Sequence, residues 1–138
     1  MSFSIVIISF AIIFFYVIGT SLPFLSVYGH PSPVSYEPRP NQIINSTQTL
    51  PDKVTITFTE SPASGASSLK VIGSNNERID NNDLKVLDSG KALSVSLDKS
   101  KVIPGVYTVN WLVLSEDDGH ITKGSYVFSF DGQSSQNP

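Results

Sequence analysis

The stretch GVYTVNWLVL, residues 105–114, places Tyr107, Val109, Trp111 and Val113 at every second position. Positions i, i+2, i+4 and i+6 share one face of an extended strand but are scattered around a helix, so this spacing decides the local structure. The same period recurs in KVTITFT (53–59), with Val54, Ile56 and Phe58 together, and in ALSVSL (92–97), with Leu93, Val95 and Leu97. It recurs again in GSYVFSF (124–130), with Tyr126, Phe128 and Phe130. PVSYEP (33–38), SLKVIG (68–73) and DLKVL (83–87) are weaker examples. Turn-forming clusters separate the runs: PRPN, SGAS, GSNNE, DSG, PG and DG. No stretch carries a helical period and no segment repeats. About seven short strands at this spacing predict an all-β, two-sheet antiparallel sandwich over residues 30–130.

The flanks differ in composition. Residues 1–29 contain no Asp, Glu, Lys or Arg, and FSIVIISFAIIFFYVI is a continuous apolar run. Val27 and Gly29 supply the small residues that a secretory signal carries at −3 and −1, which places a cut before His30. The n-region MSFS has no basic residue, and the run approaches the roughly 17–25 residues that span a bilayer. Residues 1–29 therefore read as a signal peptide or as an uncleaved membrane anchor. At the other end, DGQSSQNP (131–138) has nothing to bury and reads as a disordered tail.

All nine basic and twelve acidic residues follow position 29, for a formal net charge of −3. Nucleic-acid binding calls for a basic patch that this balance does not provide. The chain has no cysteine, which removes disulfides, thiolate metal sites and a Cys nucleophile, and the only methionine is Met1. An exported domain without disulfides rests on its core, which about 100 residues can supply. Asn45-Ser46-Thr47 is an N-glycosylation sequon, expected in an exported loop.

Two histidines remain. His120 ends SEDDGH (115–120), where Asp118-Gly119 between two alternating runs is a hairpin signal. In the plainer reading His120 is an exposed turn residue and Glu116, Asp117 and Asp118 form a solvated rim. His30 becomes the first residue if the chain is cut before it. A terminal histidine offers an α-amine and the imidazole Nδ1 as one chelate, and an α-amine pKa near 7.7–8.0 makes proton loss to a metal cheap. Pro31 has no N–H, so its peptide nitrogen cannot compete as a ligand. In the plainer reading His30 is a flexible terminus. Together the two histidines and an acid supply an amine, two imidazoles and a carboxylate. Such a nitrogen-rich set suits Cu(II), zinc can use the same atoms tetrahedrally, and Cu(I) lacks soft sulfur here.

The ordered segments HPSPVSYEPRPN, VTITFTE, GVYTVNWLVLSEDDGH and KGSYVFSF resemble the CopC/PcoC copper-resistance domain from His30 to Phe130. The resemblance implies a Greek-key sandwich or barrel, immunoglobulin-like or cupredoxin-like, that binds Cu(II). It implies amine and imidazole ligands from His30, a carboxylate from Asp118 and an imidazole from His120. Glu60 falls at the aromatic-x-Glu position near the copper of some relatives, which implies an occasional ligand or a neighbour of the ligands; its plainer reading is a solvated strand-end acid. The loop SEDDGH is one residue longer than the usual Ser-x-Asp-x-His, which leaves Asp117 as a rival to Asp118, and Ile121 replaces the usual proline. The Met-rich Cu(I) loop of some relatives is missing. Related carriers work with a membrane copper transporter of the CopD type, which would here be a separate protein.

The expected function is an exported, non-enzymatic Cu(II) carrier or buffer in the periplasmic or extracellular space. Two other classes compete. A terminal-histidine brace also occurs in oxidative polysaccharide-cleaving enzymes, but Tyr107 and Trp111 fall on a predicted core face rather than on a flat binding surface. An uncleaved anchor would make this a membrane-tethered structural or adhesive domain, with residue 30 locked in a peptide bond. The signal-peptide reading predicts that intact mass and N-terminal sequencing of protein recovered from its host give His30 as the first residue. A start at Met1 would remove the amine ligand.

Overall fold

The computed structural model describes residues 29–45, 49–87 and 89–132. All of the proposed signal or anchor but Gly29, and all of the proposed tail but residues 131 and 132, lie outside the described residues. Eight strands form: β1 Pro33–Glu37, β2 Ile43–Asn45, β3 Lys53–Phe58, β4 Ser68–Ile72, β5 Lys85–Val86, β6 Ala92–Ser96, β7 Gly105–Leu114 and β8 Ile121–Asp131. Among the described residues the only helical element is a 3-10 turn at Lys99–Lys101, capped by Asp98, whose carboxylate accepts from the backbone N–H of Ser100.

The strands make two four-stranded sheets, ordered β1-β3-β6-β5 and β2-β8-β7-β4. The chain crosses from one sheet to the other after β3, returns for β5 and β6, and crosses again into β7 and β8. β3 thus pairs with β6, β4 with β7 and β2 with β8 over long connections, as in Greek-key connectivity, while β5–β6 and β7–β8 are consecutive neighbours. Seven strands match the predicted runs in order. β8 begins at Ile121 rather than near 124 because its first residues pair with the end of β7, Leu114 opposite Ile121.

The eighth strand, β2, was not expected. The Pro38–Gln42 segment carries the chain from the first sheet to the second through Asn41 in the left-handed region (φ 60°). The Asn41 N–H donates to the Val127 carbonyl at 2.7 Å, and the Ser129 N–H donates to the Gln42 carbonyl at 2.9 Å. This seats Ile43–Asn45 parallel to Ser129–Asp131 and buries Ile44. The second sheet is therefore mixed rather than purely antiparallel. The sequon residue Asn45 ends this strand, paired with Asp131, instead of lying in a loop.

The core is built by the predicted alternation. Val54, Ile56 and Phe58 of β3, Leu93 and Val95 of β6, Leu69 and Val71 of β4, Tyr107, Val109 and Val113 of β7, and Phe128 of β8 are all buried between the sheets. Tyr107 and Phe128 stack, with ring centroids 5.3 Å apart. The Tyr107 hydroxyl donates to the Ile103 carbonyl and accepts from the Ile103 N–H, so its polar tip is satisfied inside an apolar site. Trp111 is only half-buried, its ring edge-on to Phe58 at 5.3 Å. Gly124 lies opposite it, and a Cβ there would fall 2.6 Å from the indole Cζ2, so the aromatic occupies the space that a side chain would need.

An ion pair between a buried carboxylate and a partly exposed arginine anchors the crossing between β4 and β5. The Asp80 carboxylate, with no exposed side-chain surface, is paired with Arg78 at 2.7 Å. It also accepts from the backbone N–H groups of Val71 at 2.8 Å and Asn82 at 3.0 Å. Burial opposes ionisation, but the Arg78 side chain and the two amides outweigh it and hold the carboxyl below 3.8. A carboxyl with a lowered folded value stabilises the fold above about pH 4 and loses that contribution as pH falls through the folded value. Asp80→Asn should therefore lower the unfolding free energy by roughly 2–3 kcal/mol at pH 7, as removal of a charged hydrogen-bond partner does. In urea denaturation the difference from wild type should shrink below pH 4.

Candidate metal centre

The site lies at one end of the sandwich, where residues 29–32, the chain after β3 and the β7–β8 loop meet. The terminal segment is held between the two sheets. The Thr59 N–H donates to the Ser32 carbonyl at 2.9 Å, and the Ser32 N–H donates to the Thr59 hydroxyl at 3.0 Å, which prolongs the β1–β3 pairing towards His30. From the opposite sheet the Thr122 hydroxyl donates to the Pro31 carbonyl at 2.6 Å. Pro31 is buried, and the Ser32 hydroxyl donates to the His30 carbonyl at 3.1 Å. His30 is thereby presented at the rim rather than trailing into solvent.

The β7–β8 connection is a six-residue loop, 115–120, and not the two-residue hairpin that Asp-Gly suggested. The Ser115 N–H donates to the His120 carbonyl at 2.9 Å, and the Gly119 N–H donates to the Ser115 carbonyl at 3.1 Å. Gly119 sits at φ +73°, a left-handed conformation that glycine adopts without cost. The loop is pinned to the chain after β3: the Glu116 N–H donates to the Ser61 carbonyl and the Ala63 N–H to the Leu114 carbonyl, at 2.9 and 2.8 Å. This cross-tie holds SEDDGH against the end of β3, beside the terminal segment.

Within the loop Asp118 and His120 form one unit. Asp118 Oδ1 accepts from the His120 backbone N–H at 3.0 Å, and Oδ2 lies 2.6 Å from His120 Nδ1. The Asp118 side chain is 8% exposed and that of His120 53%. The backbone N–H of His120, followed by its ring, holds the Asp118 carboxyl below its ordinary range, with a further contribution from the Ser115 hydroxyl. Asp118 is thus a carboxylate at neutral pH, and it fixes the imidazole through Nδ1, so that Nε2 is the ring nitrogen this contact leaves free.

The structure brings His30 to this unit. The His30 and His120 rings meet edge to face, centroids 4.8 Å apart and planes at 85°. Residues 90 positions apart in the chain are thus neighbours. Asp117 is exposed, and its backbone N–H donates to the Ser115 hydroxyl at 3.1 Å; no side-chain bond ties it to either histidine. Glu60 lies by the terminal segment: its Oε1 is 3.9 Å from where a Cβ on Gly29 would sit. Its Oε2 is buried and has no hydrogen-bond partner among the described residues. Among the described residues no three His, Asp or Glu side chains already converge on a single metal position. In this chain residue 30 is still bonded to Gly29, so the amine of the proposed chelate does not yet exist. Thr59 and Thr122, which position the terminal segment, leave no local pattern in the sequence because their hydroxyls bond backbone 27 and 91 positions away.

The fold and this end-on arrangement of two histidines and an acid define a two-sheet Greek-key sandwich with a polar, histidine-bearing rim. Residues 34–131 match the CopC domain model. Protein YobA of Escherichia coli strain K12 is 37% identical over 114 residues, covering 82% of this chain and 88% of that relative, and Protein YobA of Shigella flexneri matches equally. The chain belongs to the CopC domain family. Among solved structures, CopC from Methylosinus trichosporium OB3b superposes with a TM-score of 0.65 at 24% identity, over 76% of this chain and 97% of that one. PcoC, a methionine-rich copper resistance protein from Escherichia coli, superposes with a TM-score of 0.60 at 20% identity, over 75% of this chain and all of PcoC. These two likenesses establish the fold.

Proposed function

We propose that this protein is an exported Cu(II) carrier or buffer of copper homeostasis, and that its site forms when the chain is cut before His30. The observation that carries the reading is the approach of His30 to the Asp118–His120 pair, with the rings 4.8 Å apart at the rim. Cleavage adds an α-amine at the same residue. The donor set then comprises the His30 amine and imidazole, the His120 imidazole and the Asp118 carboxylate.

The chemistry favours Cu(II). Three nitrogens and one oxygen match its preference for tetragonal N/O sites. Cu(I) prefers thiolate or thioether, and this chain has no cysteine and only Met1, in contrast to its methionine-rich structural neighbour. Asp118 brings a negative charge to the cation and restrains the His120 ring, so less side-chain freedom is lost on binding. Copper is cargo here rather than a reactive centre. Tyr107 is core and Trp111 packs on Phe58, which leaves these aromatics engaged in the sandwich rather than displayed for a polysaccharide. The copper resistance function of PcoC and the family membership support the same reading. A separate membrane transporter of the CopD type would receive or supply the metal.

In a competition titration with the chain that begins at His30, His120→Ala or acetylation of the terminal amine should weaken Cu(II) binding at least 100-fold, as loss of a ligand from a chelate does. Asp118→Ala should weaken it more than Asp117→Ala. Affinity should fall with pH as protons compete for the amine and imidazoles. Equal binding by wild type and His120→Ala would overturn the site.

A further inference from the structure

Glu60 holds a carboxylate oxygen that nothing satisfies. Oε2 is buried without a hydrogen-bond partner among the described residues, and Glu60 takes part in none of the ion pairs there. A buried acceptor of this kind carries an uncompensated desolvation penalty. The other oxygen of the same carboxylate, Oε1, lies 3.9 Å from where a Cβ on Gly29 would sit, one residue from the 29–30 bond. In the uncut chain His30 contributes a single amide N–H at this place. Hydrolysis of the Gly29–His30 bond removes the preceding chain and leaves an α-ammonium with three N–H donors and a positive charge. One water is consumed, and Gly29 departs as a carboxylate on the released segment.

We propose that Glu60 is the receptor for this new α-ammonium: processing supplies the donor that its buried Oε2 lacks, and the resulting ion pair positions His30 at the rim. The placement argues for this role. Glu60 follows Thr59, whose N–H and hydroxyl already hold Ser32, so the carboxylate belongs to the element that aligns the terminal segment. His120 cannot serve as its partner through Nδ1, which Asp118 occupies. The fold therefore leaves one acceptor open until the chain is cut, and the cut end becomes a fixed structural element instead of a loose terminus. In this role Glu60 is a positioning residue that need not touch copper. The inference rests on the cleavage that the copper reading also requires, but it makes its own claim about the metal-free protein.

The test uses the metal-free chain that begins at His30, which contains every strand of both sheets, with and without an N-terminal acetyl group. At pH 6.5 an α-amine of ordinary pKa is protonated. Glu60→Gln should lower the Tm of the free-amine chain by about 5 °C, the scale of one charged contact in a domain of this size. In the acetylated chain the same substitution should leave the Tm unchanged or raise it, because there the carboxylate has no cation to receive. Glu60→Asp should recover part of the loss in the free-amine chain. Equal effects of Glu60→Gln in the two chains would overturn the proposal. Cu(II) titration of the same wild-type chain separates the two claims: coupling without copper binding refutes the copper reading alone, and copper binding without coupling refutes the Glu60 role alone.

Discussion

Ten consecutive residue pairs between β7 and β8, from Gly105 opposite Phe130 to Leu114 opposite Ile121, are the constraint on which the rest of the molecule depends. Their register decides which residues face the other sheet. Tyr107, Val109, Val113 and Phe128 point inward together, and a slip of one position would turn the inward set of one strand to solvent. The same ladder fixes where the hairpin closes. Because Leu114 pairs with Ile121, the six residues between them emerge at one end of the sandwich, and His120 emerges with them. The core and the candidate site therefore share one hydrogen-bonded frame, in which hydrophobic burial sets the register and the register places the polar loop.

Much of this was legible in the sequence because alternation reports directly on burial. Val54, Ile56 and Phe58, or Leu93 and Val95, are spaced as a pleated strand with one covered face must space them. β2 escaped notice for a physical reason. Three residues with a single inward side chain, Ile44, show no period, and the strand exists because Asn41 and Gln42 hydrogen-bond to β8. The start of β8 was hidden because Ile121-Thr122-Lys123 carries no inward apolar alternation and is held by the partner strand instead. Asp118-Gly119 suggested a tight turn, and the glycine does take a left-handed conformation, but the backbone closure is between Ser115 and His120.

The site was legible only in part. The residue types and the ordered resemblance to CopC domains named His30, Asp118 and His120, while the choice between Asp117 and Asp118 depends on a loop conformation that no spacing rule contains. The structure puts the Asp118 carboxylate on the His120 ring and leaves Asp117 exposed. The unsatisfied oxygen of Glu60 was not readable at all, since it depends on burial beside a segment 30 positions away. Hydroxyl groups of Thr59 and Thr122, from opposite sheets, grip residues 31 and 32. On the proposed reading, a terminal histidine is useful as a ligand only if it is held, and these bonds hold the two residues that follow it.

The central claim is that a processed His30 and His120 bind one Cu(II) together. The most direct test is electron paramagnetic resonance of the chain that begins at His30, loaded with one equivalent of Cu(II), with ¹⁵N introduced at the histidines. The account predicts an axial spectrum with superhyperfine coupling to three nitrogens, one amine and two imidazoles, all altered by the label. A spectrum indistinguishable from that of the same chain with His120→Ala, or coupling to one imidazole only, would contradict it.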